Sequence, residues 1–452
     1  MAEARVARAL GRADLVLLKV VAIVNINNVP PAAVHGRASL LLWALAFVLF
    51  FVPEAIAVLA FARRYPGEGG VYLWIREAFG PGHGFLAGWC YWTNNLFYIP
   101  VLLVYMAGTM AYAGGSATAA LVERPLFTGG VALAWLALIT ALNVRGLGAG
   151  KWVQNAGGIG TALAVALVLL AGGAAWHAGT AQPAPWVAQG GVGMLATFSV
   201  MCNALVGIEL ASTMGDEIRD PARDLRPAIV TAGALALGAY LLVTLAVLAL
   251  VPVGAAGIIQ GIMQALAAGA AQAGVPWLVA PVALLLALSV GGAASAWFAG
   301  SSRVPFVAGV SRALPAALGR VHPRWGSPHV ALRTCAALVA TFTVASLAGS
   351  TVAEAYQVLL KAAVVIQLLP FGYLFLGLAR LEGTAWWQRG AGGVGLATTL
   401  LGIAFAFVPP ADVADVARFE GKLVAGVLLP TAVGLWLYRR ARLDRAAPAG
   451  LA

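Results

Sequence analysis

Long apolar runs alternate with short polar gaps along the whole chain. A run of about 20 residues is enough for an α-helix to cross the hydrocarbon core of a bilayer. Charges, prolines and glycine clusters separate twelve such runs, at residues 14–35, 39–62, 83–111, 126–145, 152–177, 191–216, 226–252, 276–302, 330–349, 352–379, 387–408 and 419–438. The pattern predicts an all-α integral membrane protein with about twelve transmembrane helices, which form one membrane domain over residues 1–452.

The composition agrees with a membrane location and argues against several other classes of protein. Of the 452 residues, 61% are hydrophobic and 10% are charged, whereas a soluble domain carries about 25% charged residues. The net charge is +11, but the basic residues fall in the gaps between apolar runs, so no nucleic-acid partner is expected. Cys90, Cys202 and Cys335 lie inside apolar runs and form no metal-ligand spacing. We expect no cofactor, no metal site and no enzymatic activity.

The lysines and arginines indicate the orientation in the membrane, because they concentrate in cytoplasmic loops. In the predicted topology, 22 of the 28 lie on one side, and Lys19 and Lys361 lie within spans. The opposite side has only Arg37, Arg124, Arg418 and Lys422. Both termini are therefore expected to be cytoplasmic. The first apolar run is expected to remain as a span, because no small-residue cleavage site follows it.

Helix breakers interrupt the first and the sixth spans. Residues 25–31 contain three asparagines and two prolines, and Gly207 and Glu209 interrupt the run at 191–216. Backbone groups left unpaired in lipid cost several kcal/mol each unless they line a cavity or bind a ligand. Interrupted helices in two corresponding halves are typical of transporters that bind substrate between them. A kink packed against neighbouring helices is the alternative for each segment.

Several sequence blocks carry a family resemblance. They are YPGEGGVY at 65–72, GFLAGW at 84–89, NVRG at 143–146, GIE at 207–209, DEIRDP at 216–221, SRVPF at 302–306 and VHP at 321–323. In this order they resemble the amino acid, polyamine and organocation permease superfamily, and most nearly its glutamate:GABA antiporter-like branch. The resemblance implies a leucine-transporter-like fold with alternating access. It further implies a five-plus-five inverted repeat, at 1–177 and 191–380, followed by two additional helices at 387–440.

Polar residues around the two breaks are the candidate substrate-binding residues. A half-helix that begins near Pro30 would present its positive end to a substrate carboxylate, and the asparagine amides add donors or else cap the break. The resemblance places Glu209 in an unwound segment, where it can sense a substrate amine or support the break. The full set is Asn25, Ile26, Asn27, Asn28, Asn94, Asn95, Asn203, Ala204, Gly207, Glu209 and Ser295.

A second set of residues is expected to couple transport to an ion or to control opening. Lys361 lies about ten residues into its span, where it needs a partner, a water-filled path or a structural contact to a neighbouring helix. Lys19 is close enough to the cytoplasmic side to extend its ammonium group toward it. Some proton-coupled relatives have a fifth-helix lysine where this chain has Thr161. The candidates for coupling or gating are Lys361, Tyr91, Lys19, Glu68, Asp216 and Arg219.

These observations favour a secondary transporter of amino acids in the cytoplasmic membrane, which works by exchange or is linked to protons. A polyamine importer of the same fold is the alternative, favoured by Glu209 and disfavoured by Lys361. A channel is a third class, because broken helices also line channels. The expected partners are a small-molecule substrate and membrane lipid, and the chain is expected to be a monomer or a homodimer.

The predicted orientation can be tested by cysteine labelling. The distribution of basic residues places the gap around Ala411 outside and the C-terminal tail inside. An impermeant thiol reagent added to intact cells should label a cysteine introduced at Ala411 and should not label one at Ala447. The reverse pattern would overturn the inverted-repeat topology.

Overall fold

The computed structural model describes residues 10–186, 192–257, 260–347, 352–408 and 416–446. Within these ranges every regular element is helical, and extended backbone pairs only at two isolated bridges. Arg5, Arg8 and the two labelling positions Ala411 and Ala447 lie outside the described residues.

The helices follow one another with short connections. Their bounds are α1 (Arg12–Ile23), α2 (Val29–Ala33), α3 (Ala38–Ala46), α4 (Val52–Arg64), α5 (Val71–Phe79), α6 (Pro81–Met110), α7 (Pro125–Val144), α8 (Leu147–His177), α9 (Val192–Ala204), α10 (Leu210–Thr213), α11 (Pro221–Leu250), α12 (Gly261–Gln272), α13 (Val279–Ser301), α14 (Arg303–Val310), α15 (His329–Leu347), α16 (Val352–Arg380), α17 (Trp386–Ala406) and α18 (Val416–Ala446).

Eleven helical stretches in the described part of the chain are long and apolar enough to cross a membrane. The predicted sixth span differs, because it divides into α9, α10 and a non-helical segment between them. Its apolar helical part, Gly193–Ala204, is too short to be counted with the eleven. The all-α membrane fold predicted from the apolar runs is confirmed.

Local sequence explains where several helices begin. Pro81, Pro125 and Pro221 each occupy the first turn of a helix, where a residue without an N–H group leaves no helical hydrogen bond unmade. The carboxylate of Asp220 accepts a hydrogen bond from the Arg223 backbone N–H at 3.2 Å and so caps α11.

The first span breaks where the sequence predicted. Helix α1 ends at Ile23, residues Ile26–Asn28 form a short 3-10 turn, and α2 follows. Pro30 and Pro31 cannot donate a backbone hydrogen bond to the preceding turn, so one continuous helix cannot form. Because α2 has only five residues, the half-helix expected to hold a carboxylate is short and its dipole is weak.

The second break requires a glycine. The backbone of Gly207 has φ +138°, which a residue with a side chain rarely adopts. A Cβ atom at Gly207 would lie 2.9 Å from Cγ2 of Ile23 and 3.1 Å from the Trp297 ring. The second break therefore packs directly on the end of α1, and the two breaks face each other.

Small residues allow the inner helices to approach closely. Helix α13 packs most extensively on α8, and a Cβ atom at Gly157 would lie only 2.6 Å from Cα of Gly292. Close backbone contacts of this kind drive helix association in lipid. Burying an apolar side chain against another helix gains little there, because the lipid tails are equally apolar. Large side chains at the periphery, such as Leu428 and Trp436 of α18, are instead 60% and 56% exposed.

Backbone and side-chain contacts close the end of the bundle that is expected to be cytoplasmic. The Leu10 N–H donates to the Glu217 carbonyl and the Arg219 N–H donates to the Leu10 carbonyl, both at 3.0 Å. The Arg303 guanidinium donates to the Glu217 carboxylate at 2.9 Å and to the Ala299 carbonyl at 2.5 Å. Both partners of this ion pair are buried, so it joins the start of α14 to the segment after α10.

Removing one partner of the buried ion pair should destabilise the protein. Removing one partner of such a pair leaves the other charge uncompensated and costs about 3–5 kcal/mol. We expect Glu217→Gln to lower the thermal unfolding temperature of detergent-purified protein clearly. The exposed pair Arg76–Glu77 is the matched control, and Glu77→Gln should change stability by less than about 0.5 kcal/mol.

A double variant distinguishes the effect of an unpaired buried charge from the effect of altered packing. Replacing both partners, as Arg303→Met with Glu217→Leu, leaves no unpaired charge, so part of the lost stability should return. If Glu217→Gln unfolds at the wild-type temperature, the pair is not buried in the resting protein.

Candidate functional site

The hydroxyl group of Tyr240 connects the two breaks. It accepts a hydrogen bond from the Asn25 N–H at 3.2 Å and lies 2.7 Å from the Ile23 carbonyl and 3.1 Å from the Ala204 carbonyl, to which it can donate. The Trp43 ring stacks on the Tyr240 ring with centroids 4.0 Å apart. One side chain of α11 therefore satisfies polar backbone groups of both interrupted helices.

The asparagines of the first break have different environments. The Asn25 side chain donates to the Ala22 carbonyl at 2.7 Å, which is the backbone cap named above as the alternative. Asn27 is buried, and neither its amide nitrogen nor its amide oxygen has a hydrogen-bond partner among the described residues. The Asn28 side chain is also buried and lies next to the Tyr240 hydroxyl. Asn27 thus keeps an amide donor and an amide acceptor without a hydrogen bond of ordinary length, with the Tyr356 hydroxyl nearby.

Aromatic side chains surround this region. The Tyr356 hydroxyl of α16 lies near the Asn27 amide, and Tyr98 of α6 lies near both Tyr240 and Tyr356. Tyr98 also packs edge-on against Trp297, with ring centroids 5.7 Å apart. Rings from four helices therefore lie in contact or close to one another beside the two breaks, and they provide both apolar faces and hydroxyl groups.

Glu209 is buried and strongly bonded within the second break. Its Oε1 accepts from the Tyr91 hydroxyl at 2.8 Å, and its Oε2 accepts from the Gly207 N–H at 2.9 Å. The Glu54 carboxyl of α4 lies within hydrogen-bonding reach of it. Glu209 therefore holds its own break together in this conformation, and Tyr91 positions it.

The interpretation that Lys19 extends toward the cytoplasm is wrong. Its side chain is fully buried, and its ammonium group donates to the Ile208 carbonyl within the second break. Glu209 and Glu54 are the nearby carboxyls that interact with it. The two acids and the Ile208 carbonyl partly compensate the loss of hydration, because a buried ammonium group is tolerated where it has hydrogen-bond and charge partners.

For the other substrate-binding candidates, the described side-chain contacts do not involve the breaks. The Ser295 hydroxyl accepts from the Asn143 amide of α7 at 3.2 Å. The Asn95 amide donates to the Tyr91 carbonyl one turn earlier in the same helix, at 2.9 Å. Asn94 is buried, and Asn203 is half-buried near the end of α9. A role of these four residues in substrate binding stays a prediction.

The gating candidates Glu68, Asp216 and Arg219 differ in exposure. Glu68 is half-buried and its Oε1 has no hydrogen-bond partner in the described ranges. Burial, and then repulsion from Glu217, raises the pKa of Glu68 to about 8. Asp216 and Arg219 are exposed, and neither belongs to an ion pair between described residues. The buried partner of Glu217 is Arg303, and neither of these two residues was among the gating candidates.

Lys361 lies away from the two breaks in its described contacts. Its ammonium group donates to the Val408 carbonyl near the end of α17 and lies 5.8 Å from the centre of the Phe419 ring on α18. This is the structural contact to a neighbouring helix that the sequence left open for Lys361.

Several central residues were missed by the sequence analysis. Glu54 lies within the second span, and the transfer cost that drew attention to Glu209 applies equally to it. Tyr240 and Tyr356 had no distinguishing sequence pattern, because a tyrosine in an apolar helix is most often packing. For metals, no group of three His, Cys, Asp or Glu side chains in the described part of the chain could hold an ion.

Comparison with known proteins identifies sequence relatives of this chain. The family model described as amino acid permease matches residues 15–419. An uncharacterized transporter of Legionella pneumophila is 26% identical over 94% of this chain and 96% of its own length. A probable agmatine/putrescine antiporter of Lactococcus lactis is 24% identical over 64% of this chain and 62% of its own.

A solved structure shows the fold. The crystal structure of MhsT in complex with L-phenylalanine has a TM-score of 0.63 to this chain, at 15% identity, and covers 88% of this chain and 99% of its own. The leucine-transporter-like fold with broken first and sixth spans is therefore confirmed. With the match of the family model over most of its length, the chain belongs to the amino acid permease family of membrane transporters.

Proposed function

We propose that this transporter carries amino acids across the cytoplasmic membrane by alternating access, with both termini in the cytoplasm. The observation that supports it best is the amide of Asn27, which is buried in the first break and has no hydrogen bond of ordinary length to a described residue. A buried polar group without a partner costs about 1–3 kcal/mol. A ligand that bonds to it removes this cost, so the position favours a polar substrate.

The chemistry around Asn27 fits an amino acid. Its amide oxygen can accept from an ammonium group and its amide nitrogen can donate to a carboxylate. The surrounding rings of Tyr98, Tyr356 and Trp297 provide an apolar wall for a side chain. MhsT was solved with L-phenylalanine, which supports an amino acid as the substrate class here.

The arrangement of the chain supports alternating access. We propose that residues 1–177 and 191–380 form the inverted repeats, each of which begins with a broken helix. Residues 387–440 then add α17 and most of α18 outside them. Exchange of one substrate for another and proton-linked uptake both use the same opening and closing around the breaks.

Polyamine transport is the second candidate. The Lactococcus lactis relative is named a probable agmatine/putrescine antiporter, and Glu209 and Glu54 are acids near the second break. However, Lys19 lies beside both acids and reduces their attraction for a second cation. This arrangement favours a zwitterionic amino acid over a polyamine.

A binding screen followed by counterflow tests the proposed function. The purified chain is screened by thermal shift against the L-amino acids, putrescine and agmatine. Each compound that stabilises it is then tested as a labelled substrate in proteoliposomes loaded with the same unlabelled compound. Stabilisation and counterflow by amino acids are expected. Counterflow of putrescine or agmatine alone would contradict the substrate class, and uphill accumulation of label against its own gradient distinguishes a carrier from a channel.

Asn27 should be needed for substrate binding. We expect Asn27→Ala to weaken binding of the best amino acid by at least about tenfold, because a hydrogen bond to a charged group contributes about 1.5–3 kcal/mol. Asn143→Ala is the matched control, since Asn143 is also a buried amide but bonds to Ser295 and to its own helix. Equal affinity of Asn27→Ala and wild type would place the substrate elsewhere.

We expect Lys361 to stabilise the fold and not to carry the proton in transport. Lys361→Met keeps the length of the side chain but loses the hydrogen bond to the Val408 carbonyl, so a lower unfolding temperature is expected. The pH profile of transport between about pH 5 and 8 should stay as in wild type. Loss of the pH dependence with retained exchange would instead make Lys361 the proton carrier, and loss of binding would assign it to the substrate carboxylate.

A further inference from the structure

Two carboxyl groups and one ammonium group meet beside the second break. Glu54 comes from α4, Glu209 from the segment before α10 and Lys19 from α1, and all three are fully buried. Glu54 and Glu209 are close enough to share a hydrogen bond, and Lys19 interacts with both. With both acids ionised, the cluster would carry one uncompensated negative charge, which is costly in the interior.

Hydrogen-bond donors are divided unequally between the two acids. Glu209 receives the Tyr91 hydroxyl at 2.8 Å and the Gly207 N–H at 2.9 Å. Neither carboxyl oxygen of Glu54 receives a hydrogen bond of ordinary length from a described donor, and the nearby Gly207 N–H donates to Glu209 at 2.9 Å. An ionised carboxylate only accepts hydrogen bonds, whereas a protonated one donates its own. The donors therefore indicate an ionised Glu209 and a protonated Glu54 whose O–H points to Glu209.

We propose that Glu54 and Glu209 form a proton-binding site that holds one shared proton, with Lys19 balancing the remaining charge. The proton is taken up from water on one side of the membrane and released on the other as the broken helices move. This proposal rests on the proposed transport function and makes the exchangeable ion of the transporter a proton.

The location of the four side chains allows the proton to leave. Lys19 and Glu209 belong to the two interrupted helices, whereas Glu54 and Tyr91 belong to the uninterrupted helices α4 and α6. Movement at the breaks therefore separates Glu209 from Glu54 and admits water. On uptake, a hydronium ion gives its proton to a carboxylate oxygen and becomes water. On release, the O–H bond breaks and the proton returns to water, with no other bond changed.

The pH response of the site depends on few neighbours. The charged and titratable groups that act on Glu54 are Glu209 from the second break, Lys19 from α1 and Tyr91 from α6. Helices α11, α16 and α17 also pack on α4, and no charged side chain from their described parts is among these groups.

Infrared spectroscopy tests the proton directly, without a substrate. Detergent-purified full-length protein is titrated between about pH 5 and 8, and the carboxylic acid C=O band is recorded in water and in deuterium oxide. Glu68, whose pKa is about 8, contributes a band of its own. Beside it we expect a second band, from a buried protonated carboxyl, that is lost in Glu54→Gln. Glu123→Gln is the matched control because Glu123 is exposed, and it should keep the band. If Glu54→Gln also keeps it, the proposal is overturned.

Transport in proteoliposomes tests whether the proton is exchanged during the cycle. Counterflow of each stabilising amino acid is measured at the two ends of the same pH range, with a pH-sensitive dye inside the vesicles. The wild type and Glu123→Gln should show pH-dependent rates and a lumenal pH change with net uptake. In Glu54→Gln the ratio of the two rates should fall to about one.

The two experiments separate the proposals. If no amino acid, putrescine or agmatine shows counterflow while the infrared band depends on Glu54, the proposed function fails and the proton-binding site stands. If counterflow occurs with an unchanged pH ratio in a folded Glu54→Gln variant, the proposed function stands and proton exchange at this site is overturned. Thermal unfolding of each variant shows whether it is folded.

Discussion

The structure depends on the need to satisfy backbone hydrogen bonds inside a membrane. Helices meet this need within themselves, so a helix that breaks in the bilayer must find outside partners. In this chain the Tyr240 hydroxyl lies against backbone groups of both breaks, at Ile23, Asn25 and Ala204. One tyrosine on α11, held by the stacked ring of Trp43, therefore supports two helix interruptions at once and holds them next to each other.

The buried charges follow from the same constraint. Once the helices break, their free carbonyl and N–H groups attract polar side chains that lipid would otherwise exclude. The Ile208 carbonyl accepts a hydrogen bond from the Lys19 ammonium group, and the Gly207 N–H donates one to the Glu209 carboxylate. Each of these charges then requires another, which brings Glu54 into the cluster. At the end of the bundle that is expected to be cytoplasmic, Arg303 and Glu217 make a separate buried pair. The cluster at the second break and this pair therefore use different sets of buried charges.

Much of the fold could be predicted from the sequence, because the signals are local. The apolar runs need only a count of residues against bilayer thickness. The first break follows from Pro30 and Pro31, and the second from Gly207, whose positive φ excludes other residues. The asparagines of 25–28 were identified by their cost in lipid, and so was Glu209. Each of these predictions rests on a property of the residue within its own segment: it breaks the helix, or it is costly to place in lipid.

The pairing of side chains across helices was decided only by the tertiary structure. Lys19 was expected to reach the cytoplasm, and it turns inward because two acids from distant segments, at positions 54 and 209, lie beside it. Ser295 faces Asn143, and Lys361 bonds to the Val408 carbonyl, although the sequence placed both near the transport path. The sequence determines how deep a polar residue lies, because depth depends on distance along its own helix. The direction in which it points, and the partner it finds, depend on helix rotation and packing between segments far apart in the chain.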